Sequence, residues 1–288
     1  MRLILLLALV LSVSFDMQAQ RQLYGNKVST NFGLKRPMEK EALPYSKAPL
    51  DKPERVPKVE ANTVLMPIQD NVWEITQGWE LAEADSLVQS GGSLFSPEFN
   101  TDSWYNATVP GTVLTTLVQQ GVYPDPCYGV NNMAIPEDLC RKEWWYRVEI
   151  PLSEELLAKP TLELLFNGIN YRADIWMNGE KLGNISGAFM RGRFDITKVA
   201  RHNNVLAVHI FPSSNPGFPH EQSSISGRGP NGGQLCLDGP TFICSEGWDW
   251  MPGIRDRNIG LWQDVRIIAS DGVTIGDTQV ITDLPLPD

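Results

Sequence analysis

Histidine is scarce in this sequence and is nowhere clustered. The 288 residues include three histidines, His202, His209 and His220, and they are scattered without the ligand spacing of a zinc site. We therefore expect no metal site and no bound cofactor.

Positive charge is also in short supply. Lysine and arginine number 24 against 34 aspartate and glutamate, which gives a formal net charge of -10. A chain this acidic is a poor partner for nucleic acid and for anionic membrane surfaces. Neutral polymers such as glycans remain compatible with the composition.

Long apolar runs are rare as well, since one stands out and it lies at the N-terminus. Met1-Arg2 precedes an apolar run from Leu3 to Val13, followed by a small-residue exit near Met17-Gln18-Ala19. The run is too short to span a membrane and is typical of a secretory signal peptide. The sequence predicts a signal peptide over residues 1–19, a secreted or periplasmic protein, and no membrane span.

Cysteine is limited to Cys127, Cys140, Cys236 and Cys244. In an oxidising compartment these four residues allow one or two disulfides, but their spacing does not fix a pairing. Free, buried thiols are an equally open alternative, because cysteine is among the most buried residue types.

Residues 20–66 are polar, rich in lysine and proline, and without apolar periodicity, which predicts a linker or a loosely draped arm. Order is expected to begin near Val72–Ile75, the first predicted strand. One short helix is predicted at Val113–Gln120, where Thr112 provides an N-cap and Gly121 a left-handed stop.

The rest of the chain up to residue 270 has the pattern of short antiparallel strands. Apolar residues alternate with polar ones along 144–150 and 162–166, Asn178-Gly179 is a strong hairpin signal, and further strands are predicted at 194–197, 205–210 and 261–268. This pattern predicts an all-β, two-sheet sandwich of the jelly-roll type over residues 67–270. A fresh pair of strands, Val273–Ile275 and Thr278–Thr282, predicts the truncated start of a second β domain at 271–288.

The long segment Pro212–Asp238 has no periodicity and leads directly into an aromatic turn. A loop of this length in a compact domain is functional or disordered, and we expect a functional loop. The turn that follows places Trp248 and Trp250 on either side of Asp249. Aromatic rings pack on the C–H face of a sugar while a carboxylate accepts from its hydroxyls, although two core tryptophans and a turn-capping aspartate would explain the same residues.

Together these segments resemble the N-terminal sugar-binding domain of glycoside hydrolase family 2. The resemblance covers about Val72 to Ala269 and is closest in style to the β-mannosidase and exo-β-glucosaminidase branches. It rests on these motifs: Val109-Pro110-Gly111-Thr112-Val113, Trp144-Trp145-Tyr146-Arg147, Asn167-Gly168-Ile169-Asn170-Tyr171, Ala173-Asp174-Ile175-Trp176-Met177-Asn178-Gly179, Phe194-Asp195-Ile196-Thr197, and Gly247-Trp248-Asp249-Trp250 on to Trp262.

The resemblance implies a galactose-binding-like jelly roll that is followed by an immunoglobulin-like domain and then by a TIM barrel that carries both catalytic glutamates. It implies a retaining exo-β-glycosidase acting on the non-reducing sugar of a β-linked glycoside. Residues 271–288 would be the start of the immunoglobulin-like domain. No catalytic residue is assigned within the chain, which we expect to be inactive alone.

The resemblance also implies which residues contact the sugar. Asp249 matches an aspartate that reaches the mouth of the barrel, and Trp250 or Trp248 matches its aromatic neighbour. Arg257 and Asn258 follow in a motif-like position, but they could equally pair with Asp256 and cap the loop. A stand-alone carbohydrate-binding module and a structural or adhesion sandwich without a sugar site are the alternative functions.

Overall fold

The computed structural model describes residues 49–89, 93–218, 234–235, 255–273 and 278–284. Two antiparallel sheets dominate this part of the chain, so the predicted two-sheet β-sandwich is confirmed. The signal-peptide prediction and most of the predicted arm lie outside the described residues.

The first sheet has five strands in the order β1-β2-β13-β6-β9. Their bounds are β1 Leu65–Gln69, β2 Val72–Ile75, β6 Thr161–Phe166, β9 Gly192–Asp195 and β13 Val265–Ser270. The second sheet has six strands in the order β4-β3-β5-β10-β7-β8. Their bounds are β3 Glu80–Glu83, β4 Tyr105–Asn106, β5 Trp144–Pro151, β7 Arg172–Met177, β8 Glu180–Ser186 and β10 Asn203–Phe211. A short ladder pairs β11, Gly217–Phe218, with β12, Gln234–Leu235.

The core lies between the two sheets and follows the predicted alternation. In β5 the inward residues are buried: Trp144, Tyr146, Val148 and Ile150. In β6 they are Leu162, Leu164 and Phe166. Because successive strand residues point to opposite faces, each strand delivers one apolar row to the same interior.

The outer face of the six-stranded sheet is less exposed than the alternation predicts. Arg147 points outward but is only 2% exposed. Its guanidinium donates to the carbonyls of Leu94 (3.2 Å) and Ser96 (3.0 Å), and it pairs with Glu80 and Glu149. Arg147 therefore fixes the chain around residues 94–96 on the outside of the sheet.

The predicted helix is confirmed as α1, Val113–Gln119. Thr112 caps it by accepting from the Thr115 N–H (3.1 Å), and Gly121 follows with φ +64°. Its N-terminus contacts the segment that precedes β13, since the Val113 N–H donates to the Ile259 carbonyl (2.8 Å). The other helical segments are short: α2 at Glu154–Leu157 and 3-10 turns at Ala84–Gln89, Asn131–Ala134 and Glu137–Arg141.

The hairpin predicted at Asn178-Gly179 joins β7 to β8. Both residues are left-handed, with φ +53° and +87°, as a type I′ turn requires. The predicted strand at 261–268 starts later, at Val265. Residues 278–284 contain no strand, so the strand predicted at Thr278–Thr282 is wrong. Most of its predicted partner, Val273–Ile275, lies outside the described residues.

The described part of the predicted arm, residues 49–64, lies along the sandwich. The Val56 N–H donates to the Gln120 carbonyl (3.1 Å) at the end of α1, and the Val59 N–H donates to Asn106 Oδ1 (2.8 Å). Lys58 pairs with Glu80 (2.5 Å). β1 continues directly from this segment, so regular structure begins before Val72, the first strand predicted.

Two left-handed glycines test this docking. A Cβ at Gly121 would lie 1.7 Å from the Glu54 carbonyl oxygen, whereas a Cβ at Gly179 would meet only Phe95 Cβ at 3.8 Å. We expect Gly179→Ala to cost about 1–2 kcal/mol of stability, which is the left-handed penalty alone. Gly121→Ala should cost clearly more and should expose the 49–64 segment to trypsin. Urea unfolding and limited proteolysis measure both effects, and equal costs with unchanged cleavage would contradict the docking.

Candidate functional site

The predicted aromatic turn is described only from its base onward. Trp248, Asp249 and Trp250 lie outside the described residues, whereas Arg257 and Asn258 lie within them. The four residues Arg255–Asn258, here called the basal turn, are the first described residues after residues 236–254.

Arg257 holds the basal turn from inside the protein. Its side chain is fully buried, and its guanidinium donates to the carbonyls of Pro216 (2.6 Å), Arg255 (2.8 Å) and Gly217 (3.3 Å). It also forms an ion pair with Glu137. One side chain thus joins the chain that precedes residue 218, the chain that follows residue 254 and the 3-10 turn at Glu137–Arg141.

These contacts bear on the predicted role of Arg257. Its donors are directed at protein oxygens, and its ion-pair partner is Glu137 rather than the Asp256 of the capping alternative. Asn258 is half-buried, and its backbone N–H donates to Asp256 Oδ1 (2.9 Å), as the capping alternative expects. The sugar-contact role of both residues stays a prediction.

Asn170 is a second anchor of the basal turn. Arg257 and Asn258 are both left-handed, with φ +59° and +52°, a conformation that is uncommon outside glycine. The Asn170 side-chain amide donates to both of their carbonyls, at 3.0 and 2.9 Å. Its backbone also exchanges hydrogen bonds with Gly260, at 2.9 and 2.8 Å. Asn170 therefore fixes both the curled turn and the strand-like segment after it.

Sequence reasoning did not assign a site role to Asn170, although the residue belongs to one of the motifs quoted above. An asparagine near a predicted turn signals local turn chemistry. Its partners here are 87 and 88 positions away in the chain. No local pattern encodes such a contact.

Two carboxyl groups flank Arg257, the fully buried Asp256 and the half-buried Glu137. Burial raises the pKa of Asp256 to about 6, against the opposing effects of the Asn258 N–H and of Arg257. Burial likewise raises the pKa of Glu137, although Arg257 lowers it in part. The base of the loop is thus a charged network held at low dielectric, where each group depends on its partner.

The described cysteines are free thiols. Cys127 is exposed and Cys140 is buried, and burial raises the pKa of Cys140 to about 11. A thiol with this pKa is a poor nucleophile at neutral pH. Cys236 and Cys244 lie outside the described residues, so the disulfide prediction stays open.

The described residues contain neither a metal-binding cluster nor a membrane-spanning helix. No group of three His, Cys, Asp or Glu side chains in these ranges is placed to hold a metal ion. Among the same residues, no helix is long and apolar enough to cross a membrane.

Comparison with known proteins gives a consistent family match. A family described as "Glycosyl hydrolase 2 galactose-binding domain-like" matches residues 79–263. The mannosylglycoprotein endo-beta-mannosidase of Lilium longiflorum is 35% identical over 221 residues, which cover 72% of this chain and 22% of the lily protein. The exo-beta-D-glucosaminidase of Streptomyces avermitilis is 26% identical over 73% of this chain and 21% of that protein.

A solved structure shows the same relationship in three dimensions. The exo-chitosanase CsxA of Amycolatopsis orientalis superposes with a TM-score of 0.52 at 26% identity, over 69% of this chain and 21% of that chain. The chain therefore spans about a fifth of the length of the relatives it matches.

The raised pKa of Asp256 predicts a pH effect on stability. The folded chain binds a proton on this group between the usual pKa of 3.8 and about 6, where the unfolded chain has lost it. The stability that Asp256 contributes is full below pH 3.8 and is lost as the pH rises through 6. Asp256→Asn removes this titration. We expect the unfolding free energy of the variant minus that of the wild type to rise by about 3 kcal/mol between pH 3 and pH 7.

Urea unfolding at pH 3 to 7 measures this difference. Asp195→Asn is the control with the opposite sign, because hydrogen bonds from Thr197 lower the pKa of the exposed Asp195. The unfolding free energy of Asp195→Asn minus that of the wild type should become more negative as the pH rises from 3 to 5. If the unfolding free energy of Asp256→Asn minus that of the wild type does not change with pH, burial does not raise the pKa of Asp256.

Proposed function

The chain belongs to the glycosyl hydrolase 2 galactose-binding domain-like family, and from this premise we propose that it is the sugar-recognition part of a secreted, retaining exo-β-glycosidase. The jelly-roll domain supplies one wall of the substrate site. A catalytic TIM barrel elsewhere in the full-length protein supplies the chemistry.

Asp249 and its neighbours Trp248 and Trp250 are the proposed sugar contacts. The carboxylate accepts from two hydroxyls of the non-reducing sugar, and an indole face packs on the C–H side of the ring. The observation that supports this role is the anchored basal turn six residues further on. Arg257 and Asn170 hold it so firmly that contacts projected from its loop would meet a substrate in a defined place.

Such contacts act by positioning. A side chain that fixes the sugar relative to the reacting atoms lowers the entropy cost of reaching the transition state. Interactions that strengthen in the transition state raise the rate as well as the affinity. Arg257 and Asn258 contribute indirectly, by holding the loop.

The bond cleavage itself requires two carboxyl groups in the barrel. In a retaining enzyme one is the acid/base and the other the nucleophile, at a separation of about 5 Å. We assign neither to this chain. The N-terminal residues 1–19 are proposed as a signal peptide, which directs the protein to the periplasm or the cell exterior.

A stand-alone carbohydrate-binding module is the second candidate function. The jelly-roll fold and the aromatic turn would suit it equally. The two functions differ in what the isolated chain can do, because a module binds sugar without the barrel whereas one wall of a shared site binds it weakly.

The isolated chain should therefore not hydrolyse aryl β-mannosides, β-glucosaminides or β-galactosides, and it should bind the corresponding sugars only weakly. Chromogenic assays and calorimetric titration measure the two properties. Turnover that persists through purification to homogeneity would place catalytic carboxylates in this chain. Binding that is tight and lost in Asp249→Ala would favour the module.

In the full-length enzyme, Asp249→Ala should lower kcat/KM by about 100-fold, the scale expected when a positioning contact is lost. Its melting temperature should stay close to that of the wild type. Arg257→Met is the contrasting variant, because it leaves Glu137 buried without its partner and should cost about 3–5 kcal/mol of stability.

Steady-state kinetics and thermal unfolding of both variants make the comparison. A melting temperature that falls as far in Asp249→Ala as in Arg257→Met would mean that Asp249 is a packing residue. The sugar-contact role would then be lost.

A further inference from the structure

The loop that joins β8 to β9 exposes two large apolar side chains next to each other. Phe189 is 61% exposed and Met190 is 59% exposed. The loop is nevertheless held in place, because the Met190 N–H donates to the Gly187 carbonyl (3.1 Å) and the Gly187 N–H donates to the Tyr171 carbonyl (2.8 Å). The exposed ring therefore stands on a fixed backbone.

The Phe189 ring packs against the Trp262 indole. The two rings meet edge to face, with centroids 5.7 Å apart and planes at 83°. The Trp262 indole N–H donates to the Ala188 carbonyl (2.8 Å). On its other side the indole lies so close to Gly168 that a Cβ there would come within 2.7 Å of Nε1. Trp262 is therefore packed closely against Gly168 on one side and contacts the Phe189 ring on the other.

The Phe189–Trp262 pair is connected to the basal turn through the chain and through hydrogen bonds. Trp262 lies four residues after Asn258 in the same segment. The neighbouring residues Asn170 and Tyr171 bind the two parts together, since Asn170 pairs with Gly260 and the Tyr171 carbonyl accepts from Gly187. Phe189 therefore lies at the same end of the sandwich as the basal turn, which follows Asp249 by six residues in the chain.

We propose that Phe189, supported by Trp262, is a stacking surface for a second sugar unit of the substrate. This inference rests on the proposed function. An exo-acting enzyme holds the non-reducing terminal sugar at the reacting centre, so a second sugar lies on the leaving-group side. The C–H face of a pyranose packs on the ring, and the flexible thioether of Met190 adapts to its edge.

The size of the surface favours a sugar over a protein. One ring and one thioether match one pyranose, whereas a stable protein interface needs about 800 Å² on each partner. The adjacent carboxylate, Asp264, is not available for a cationic ligand. It pairs with Arg266 and accepts from the Asn167 side-chain amide (3.0 Å).

Substrate length provides the test in the full-length enzyme. A β-glycosyl fluoride has no second sugar, whereas β-1,4-linked mannotriose and glucosamine trimer have one. We expect Phe189→Ala to lower kcat/KM for the hydrolysed trimer about three- to tenfold, with the matching fluoride unchanged. Phe189→Trp should keep wild-type efficiency on the trimer. Tyr128→Ala is the matched control, since Tyr128 is an aromatic residue that is 53% exposed in another loop, and it should change neither substrate.

Each other result counts against the stacking surface. Equal losses on trimer and fluoride, or no loss on either, would overturn it while leaving the proposed function intact. A fall in the melting temperature of Phe189→Ala without a change in the trimer-to-fluoride ratio would assign the ring to a contact with another domain. A wild-type enzyme that hydrolyses none of these substrates would defeat the proposed function, and the stacking surface with it.

Discussion

The geometry of the candidate site depends on one buried guanidinium. Arg257 reaches three stretches of chain that are far apart in sequence and holds them through carbonyl contacts and an ion pair with Glu137. Arginine is suited to this task because its planar group offers several donors in fixed directions. A lysine would provide a single flexible point charge, and an apolar residue would leave Glu137 unpaired. The left-handed basal turn, the Asn170 contacts and the Trp262 segment all follow from the position that Arg257 gives to the chain.

Much of the fold could be predicted from the sequence, because it is encoded in short-range rules. Thr112 and Gly121 fix the two ends of α1, Asn178-Gly179 fixes one hairpin, and strict alternation identifies the buried face of β5. The predictions fail where contacts between residues far apart in the sequence determine the structure. The burial of Arg147 depends on backbone carbonyls more than fifty positions earlier, and the docking of residues 49–64 depends on the exposed end of α1. β-branched residues led to the prediction of a strand at Thr278–Thr282, where the structure has none.

The candidate site divides in the same way. Trp248, Asp249 and Trp250 are recognisable from residue type and order, so their assignment rests on sequence and on family membership. The contacts of the basal turn are recognisable only in three dimensions. Arg257 is predicted as a sugar contact from its motif-like position, and the structure places its side chain in full burial among protein oxygens. Asn170 and Phe189 carry no local signal, since one acts through contacts 87 and 88 positions away and the other through a tryptophan 73 positions later.

The wide sequence separation of these contacts has a consequence for how the protein folds. Arg257 and Glu137 are 120 positions apart. Forming a contact of that range closes a long loop, and the entropy cost of closing it precedes the stabilisation that the contact provides. The sheets can gain most of their buried area without it. The basal turn would then form late, after the sandwich has condensed around α1. An intermediate with both sheets in place would already look native by its backbone while the basal turn still lacked its anchoring contacts.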